Sequence, residues 1–159
     1  MRKLHVLLAL GLLLGPLGCA KKDDATPAPA AGMARYKLDG VTRTCQASYI
    51  TPANTGIPGL DLLNLTLVTT PEPVGGKEYA VLYFTKATGR PVREYQMAAT
   101  TYFSPGSKIS TAYYSNATSI TQTDTGSYSG TFDGSFVSTA TTPGSNSNIT
   151  EGAFTEVRP

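Results

Sequence analysis

The sequence is poor in the residues that carry most enzyme chemistry. Histidine occurs once among the 159 residues, at His5, and tryptophan does not occur at all. His5 lies in the apolar N-terminal stretch, so the remainder of the chain has no histidine. This excludes Ser-His-Asp and Cys-His catalysis, histidine-ligated zinc and histidine-based acid–base chemistry in that remainder.

Net charge and ligand-binding motifs are equally sparse. Of thirteen Lys and Arg residues, two stand at positions 2 and 3, which leaves eleven against eleven Asp and Glu. No basic block remains that would displace counterions from nucleic acid, so we expect no nucleic-acid partner. The chain also lacks an Asp-x-Asp-x-Asp calcium loop and a phosphate-binding glycine loop, so we expect no metal and no cofactor.

The first eighteen residues have the three parts of a secretory signal. Two basic residues stand at the start, an apolar stretch runs over 6–14, and Gly18 is the small residue before Cys19. The apolar run that ends at Leu17 has about twelve residues, whereas a helix needs roughly 20 to span a bilayer. We therefore interpret residues 1–18 as a signal peptide.

Leu17-Gly18-Cys19 resembles the last three positions of the bacterial lipobox, in which a leucine-rich core and small residues precede a lipidated cysteine. Pro16 stands where that pattern usually has leucine. The resemblance implies cleavage before Cys19 and attachment of two or more acyl chains, which hold a protein stably at a membrane. The alternative is cleavage by a general signal peptidase.

The residues after Cys19 contain signals that relate to where in the cell envelope the protein is located. Ala20 stands where an Asp would resemble an inner-membrane retention signal, and the charged tract 21–24 is similar to that of Bacteroidota surface lipoproteins. The resemblance implies an outer-membrane lipoprotein exposed at the cell surface, whereas the alternative for 21–24 is a solvated spacer. Residues 19–34 are rich in alternating Pro and Ala, which predicts an extended, semi-rigid tether.

Residues 35–159 are rich in Thr, Ser, Gly and Tyr, which favours strands. Asp39-Gly40 between alternating runs predicts a type I′ hairpin. Further strands are predicted over 41–49, 60–70, 79–86, 92–103, 108–114, 117–123, 128–136 and 149–157, with a bulge at Gly152. A short helix over 92–99, directly after Pro91, is the alternative for the first part of the segment 92–103. We expect one domain of seven to nine mostly antiparallel strands, either a β-sandwich or a β-barrel.

Cys45 lies in the strand that follows the first hairpin. If Cys19 is lipidated, Cys45 has no partner for an internal disulfide. The alternating pattern favours a small buried hydrophobe over a reactive thiol. Arg43 interrupts the apolar face that Cys45 shares with Val41, Ala47 and Tyr49.

Two triplets, Gly130-Thr131-Phe132 and Gly152-Ala153-Phe154, resemble the C-terminal strand pair of small Bacteroidota lipoproteins of unknown function. Tyr36-Lys37-Leu38-Asp39-Gly40 is similar to their first hairpin, although the aromatic residue that often follows it is absent. The resemblance implies a β-sandwich or barrel and carries no known active residues. Glycines between aromatic positions of one strand predict close packing of a ring across the sheet.

Nine tyrosines are the feature that suggests a ligand. Tyr113 and Tyr114 are adjacent, so one of them points outward in a strand, and with Tyr128 they are candidate contacts for a glycan. Strand propensity and rim packing are the alternative explanation.

Asp124 and Asp133 flank a predicted strand pair and are candidates for the acid and base of a glycosidase-like hydrolase, with turn or surface roles as the alternative. The leading hypothesis is a non-enzymatic, lipid-anchored envelope lipoprotein whose β domain binds a glycan or an envelope protein or serves envelope structure. A carbohydrate-binding accessory module and a histidine-free hydrolase are the alternatives.

Overall fold

The computed structural model describes residues 27–51, 57–104, 113–137 and 146–159, with the side chains of 113–117, 136, 137 and 146 excepted. The strands within these ranges are β1 (Met33–Leu38), β2 (Val41–Ile50), β3 (Leu60–Thr69), β4 (Tyr79–Ala87), β5 (Gln96–Phe103), β6 (Tyr113–Gln122), β7 (Tyr128–Val137) and β8 (Asn146–Val157). A single 3₁₀ turn, Val92–Glu94, precedes β5. The part of the chain described here contains no helix with the length and hydrophobicity that a bilayer crossing requires.

The eight strands form one antiparallel sheet in the order β5-β4-β3-β2-β1-β8-β7-β6. The first and last strands of that order, β5 and β6, lie against each other, so the sheet curls into a nearly closed barrel. The predictions of an all-β, mostly antiparallel fold with seven to nine strands are confirmed. Of the two predicted architectures, the barrel is the one observed.

Alternation along each strand directs one set of side chains into the barrel. On β3, Leu63, Leu65 and Leu67 are buried, while Leu62 and Val68 are on the other face, as the pattern predicts. The largest fully buried side chains are Tyr36, Phe84, Phe154, Leu63, Leu65, Leu67, Leu82, Ile120, Ile149, Val157 and Thr100. These side chains fill the middle of the barrel, which is therefore a packed core.

The first hairpin is confirmed. Its two turn residues, Asp39 and Gly40, have φ angles of 49° and 81°, as a type I′ turn requires. The Oδ1 atom of Asp39 also accepts a hydrogen bond from the backbone N–H of Asn148, at 2.7 Å. The turn is thereby fixed to the strand beside β1.

Strict alternation of inward and outward side chains fails along β5 beyond Met97, its second residue. Tyr83 pairs with Ala99 whereas Phe84 pairs with Met97, so Ala98 is an extra residue that forms a bulge. Beyond this bulge, the residues that face the interior are the even-numbered ones, so Thr100 is buried instead of Ala99. The helix alternative for this segment amounts to one 3₁₀ turn before the strand.

The predicted division of β6 near Asn116 is also wrong. The structure has one strand, and its register shifts between Ser115 and Ala117. A bulge therefore accommodates the residue that we interpreted as a break between strands. Positions 108–112 of the predicted first strand lie outside the described residues.

Bulges likewise interrupt β8. Its pairing with β1 shifts opposite Tyr36, and Glu151 has a φ angle of 53° beside Gly152. The predicted bulge at Gly152 is confirmed to within one residue. The strand begins at Asn146, three residues before the predicted start at position 149.

The predicted tether does not extend freely over its last residues. The strand β1 begins at Met33, and Ala34, expected to end the tether, is fully buried. The backbone N–H of Met33 bonds the carbonyl of Ala30 at 3.0 Å, and the guanidinium of Arg35 donates to the carbonyl of Pro27 at 2.6 Å. Residues 27–32 therefore turn back onto the barrel wall.

Different segments of the chain lie at the two ends of the barrel. We call the end that carries the Asp39-Gly40 turn the distal mouth, and the opposite end, where the chain enters β1 at Met33, the proximal mouth. Both mouths contain charged side chains that point inward.

Candidate functional site

A polar cluster occupies the distal mouth. Its members are Arg43 and Cys45 on β2, Thr69 at the end of β3, Glu78 just before β4, and Tyr102 near the end of β5. Each continues the inward-facing positions of its strand, where alternation would otherwise place apolar residues. Three strand ends and one preceding residue therefore bring a guanidinium, a carboxylate and two hydroxyls together.

Glu78 is the centre of this cluster. Its Oε1 atom lies 2.7 Å from Nε of Arg43 and accepts a hydrogen bond from Oγ1 of Thr69 at 3.0 Å. Only 5% of the Glu78 side chain is exposed, against 25% for Arg43. The buried Glu78 carboxylate therefore fixes the orientation of the Arg43 guanidinium in the distal mouth.

The electrostatics follow from this burial. Burial lowers the pKa of Arg43, but the hydrogen bond and charge of Glu78 outweigh it, so the pKa is raised overall. Burial, assisted by the nearby Glu78 carboxylate, raises the pKa of Tyr102 well above its ordinary value. Burial also raises the pKa of the Cys45 thiol to about 11. The Tyr102 phenol and the Cys45 thiol are therefore neutral at pH 7.

An open cleft of about 510 Å³ lies beside this cluster. One wall is the start of β2, at Thr42 and Thr44, and the other is the loop after β3, at Pro71 and Val74. The backbone N–H of Thr70 bonds the carbonyl of Thr44 at 2.8 Å, which joins the two walls at the base. A volume of this size is within the range of small-molecule sites.

A second ion pair lies in the proximal mouth. The ammonium of Lys86, whose side chain is 8% exposed, contacts the carboxylate of Asp61 and stands 5.3 Å from the ring centroid of Tyr95. Hydrogen bonds from Lys86 and Thr88 lower the pKa of Asp61, and burial raises the pKa of Tyr95 to about 12. The two ends of the barrel are thus both filled by charged side chains.

Charged residues also line a shallow groove on the outer wall. Arg35, Asp133 and Glu151 border an open space of about 280 Å³ on β1, β7 and β8. Lys37 forms an ion pair with Glu151 at 2.6 Å, with both side chains more than one third exposed. This groove is more solvent-exposed than the cluster in the distal mouth.

The predicted pair of carboxylates is not brought together. Asp124 lies in the turn at 123–127, between β6 and β7, whereas Asp133 is five residues beyond the start of β7 at Tyr128. At about 3.3 Å per strand residue, Asp133 lies roughly 16 Å beyond Tyr128. Glycosidase carboxylates are about 5 to 9.5 Å apart, so Asp124 and Asp133 do not have that geometry.

Of the three predicted tyrosine contacts, Tyr128 is a core residue. Its side chain is 6% exposed, and its ring packs edge-on against Tyr49, with the two centroids 4.8 Å apart. The interpretation of Tyr128 as a ligand contact is therefore corrected. Tyr113 and Tyr114 lie at the start of β6, but their side chains are outside the described residues, as is Cys19.

Sequence reasoning missed the cluster in the distal mouth because its members are far apart in the chain. The available signals were Arg43 on an apolar face of β2 and Glu78 at the even-numbered spacing of Ala80, Leu82 and Phe84. A charged residue at an inward-facing position indicates either that the strand ends there or that the charge is paired inside the barrel. Only the register of β2, β3 and β4 shows that the two charges meet.

Among the described residues, no three His, Cys, Asp or Glu side chains are grouped so as to hold a metal ion. Comparison of the chain with protein-family models, with curated proteins and with solved structures finds no match.

Proposed function

We propose that the chain is an outer-membrane lipoprotein, anchored through acylated Cys19, whose barrel is a non-enzymatic binding domain displayed at the cell envelope. The observation that carries this proposal is the placement of chain entry and cleft at opposite ends of a filled barrel. Met33 begins β1 at the proximal mouth, and the open cleft lies at the distal mouth. An anchor before β1 leaves the cleft accessible.

The packed interior supports a surface role for the barrel. Large side chains fill its middle, and an ion pair stands in each mouth. A ligand is therefore expected to meet the domain at a rim or on its outer wall. The filled barrel thus supports a role in binding or envelope structure.

Chain length limits how far the domain stands from the membrane. The eight residue steps from Cys19 to Pro27 reach at most about 28 Å when fully extended. The carbonyl of Pro27 is bonded to Arg35, which fixes the chain to the barrel wall from Pro27 onward. The domain is therefore expected to lie close to the bilayer surface.

Membrane fractionation of the full chain tests the anchor. Cys19→Ser removes the lipidated sulfur, so the protein is expected in the soluble fraction, while the unaltered chain sediments with membranes. Cys45→Ala is the matched control, because Cys45 is fully buried in the domain, and this variant is expected to remain with membranes.

Mass spectrometry of the native N-terminus completes the test. A mature chain that begins at acylated Cys19 is the expected product. Membrane retention of the Cys19→Ser variant, or an unacylated terminus at another residue, would contradict the proposal.

A further inference from the structure

The cleft at the distal mouth combines a polar wall with an apolar wall. Thr42 and Thr44, which are exposed on β2, line one side, and Pro71 and Val74 line the other. Val74 is fully exposed at 103%, although its side chain is apolar. The cleft therefore offers hydrogen bonds on one side and an apolar surface on the other.

The charge of the cleft argues against an ionic ligand. The guanidinium of Arg43 is compensated by Glu78 at 2.7 Å, and Glu72 adds a further carboxylate at the lining. An anion would meet no excess positive charge. A cation would find the Glu78 carboxylate buried and already paired with Arg43.

A neutral ligand that carries hydroxyl groups suits the lining of the cleft. The threonine hydroxyls at the lining of the cleft both donate and accept hydrogen bonds. Sugar hydroxyls have the same double capacity, and the C–H faces of a pyranose ring pack against apolar side chains. Proline and valine offer such a surface without a large loss of side-chain entropy.

We propose that this cleft binds a neutral carbohydrate, with Thr42 and Thr44 bonding its hydroxyls and Pro71 and Val74 packing against a ring face. Arg43 faces the barrel interior, where it pairs with Glu78, and does not contact the sugar. The inference rests on the proposed function as a binding module and specifies the ligand class. It places the carbohydrate at the distal rim, on residues other than the tyrosines that the sequence suggested.

Calorimetric titration of the full mature chain in detergent tests this inference. The probes are neutral hexasaccharides of glucose, mannose, galactose and xylose, with hexagalacturonate as the acidic counterpart. Binding of at least one neutral probe, and weaker binding of the acidic one, is expected. Failure of every neutral probe to bind, or a preference for hexagalacturonate, overturns the inference.

A double variant locates the site. Thr42→Val with Thr44→Val keeps β-branched side chains on exposed strand positions but removes two hydroxyls, so the affinity is expected to fall about tenfold. Thr131→Val on β7 is the matched control, because Thr131 is exposed and lines the groove on the outer wall. Equal affinities of the double variant and the control would contradict this location.

The anchor and the ligand site fail independently. An unacylated chain that binds a neutral hexasaccharide contradicts only the lipoprotein proposal. An acylated, membrane-bound chain that binds none of the neutral probes contradicts only the carbohydrate site.

Discussion

The ring of Phe154 occupies the space into which a side chain on Gly130 would project. The two residues are paired between β7 and β8, and a Cβ on Gly130 would lie 2.8 Å from Cζ of Phe154. The neighbouring pair repeats the relationship in reverse, since a Cβ on Gly152 would lie 2.7 Å from Cδ2 of Phe132. Each Gly-x-Phe triplet thus supplies the glycine that receives the ring of the other.

Gly130→Ala is expected to destabilise the barrel by about 1–3 kcal/mol. The added methyl group meets both the Phe154 ring and the backbone carbonyl of Ser119, and neither can withdraw without disturbing the sheet. Urea denaturation followed by circular dichroism measures the change in the free energy of unfolding.

Thr131→Ala is the control for this substitution, since Thr131 is an exposed neighbour on the same strand. It is expected to lower the free energy of unfolding by less than Gly130→Ala does. If Gly130→Ala leaves the free energy unchanged, the close approach of Phe154 does not limit the packing.

The Arg43–Glu78 pair is expected to matter far more than a surface pair. Arg43→Met leaves the nearly buried Glu78 carboxylate without its guanidinium, so we expect a loss of about 2–4 kcal/mol in the free energy of unfolding. The matched change is Lys37→Met, which breaks an exposed ion pair and is expected to cost less than about 1 kcal/mol. Similar losses in the two variants would show that Glu78 is better solvated than its 5% exposure indicates.

Local patterns sufficed to predict most of the strands. The Asp39-Gly40 turn and the alternating leucines of β3 follow from short-range chemistry and are found as expected. The facing of β5 could not be predicted, because one bulged residue, Ala98, exchanges the inner and outer faces without a mark in the sequence. A bulge at Asn116 likewise resembled a break between two strands.

The candidate site was less accessible from sequence than the fold. Arg43 and Glu78 are 35 positions apart, and their contact depends on the register of three strands. Tyr128 was misjudged for a related reason: the abundance of tyrosine suggested a ligand contact, but Tyr49 and Tyr95 pack against the Tyr128 ring. The Arg43–Glu78 contact and the burial of Tyr128 both depend on contacts between residues that are distant in the sequence.

The Cys45 thiol is expected to be inert in the folded protein. Its pKa is raised to about 11 by burial, so almost no thiolate is present at pH 8. In the Cys19→Ser variant, Cys45 is the sole cysteine. A chromogenic disulfide reagent is expected to react with that variant only after denaturation in urea. Rapid labelling of the native protein would contradict the burial of Cys45.

The same shift predicts a loss of stability at alkaline pH. Because the folded thiol has the higher pKa, its contribution to the free energy of unfolding is complete below the unfolded pKa of about 9. That contribution is lost as the pH rises toward 11. The Cys45→Ala variant lacks this contribution, so its free energy of unfolding is expected to fall less steeply between pH 9 and pH 11.

The proximal ion pair predicts the opposite dependence at acid pH. A hydrogen bond from Lys86 lowers the pKa of Asp61, so the pair stabilises the fold above pH 3.8, and this stabilisation is lost as the pH falls through the lowered value.

Lys86→Met removes the ammonium and keeps an unbranched chain beside Tyr95. Urea denaturation of both proteins between pH 2 and pH 6 measures the effect. The difference in unfolding free energy between the two is expected to shrink as the pH falls below 3.8 and through the lowered pKa of Asp61. A difference that stays constant over this range would mean that Lys86 acts by packing against Tyr95 and not through the charge of Asp61.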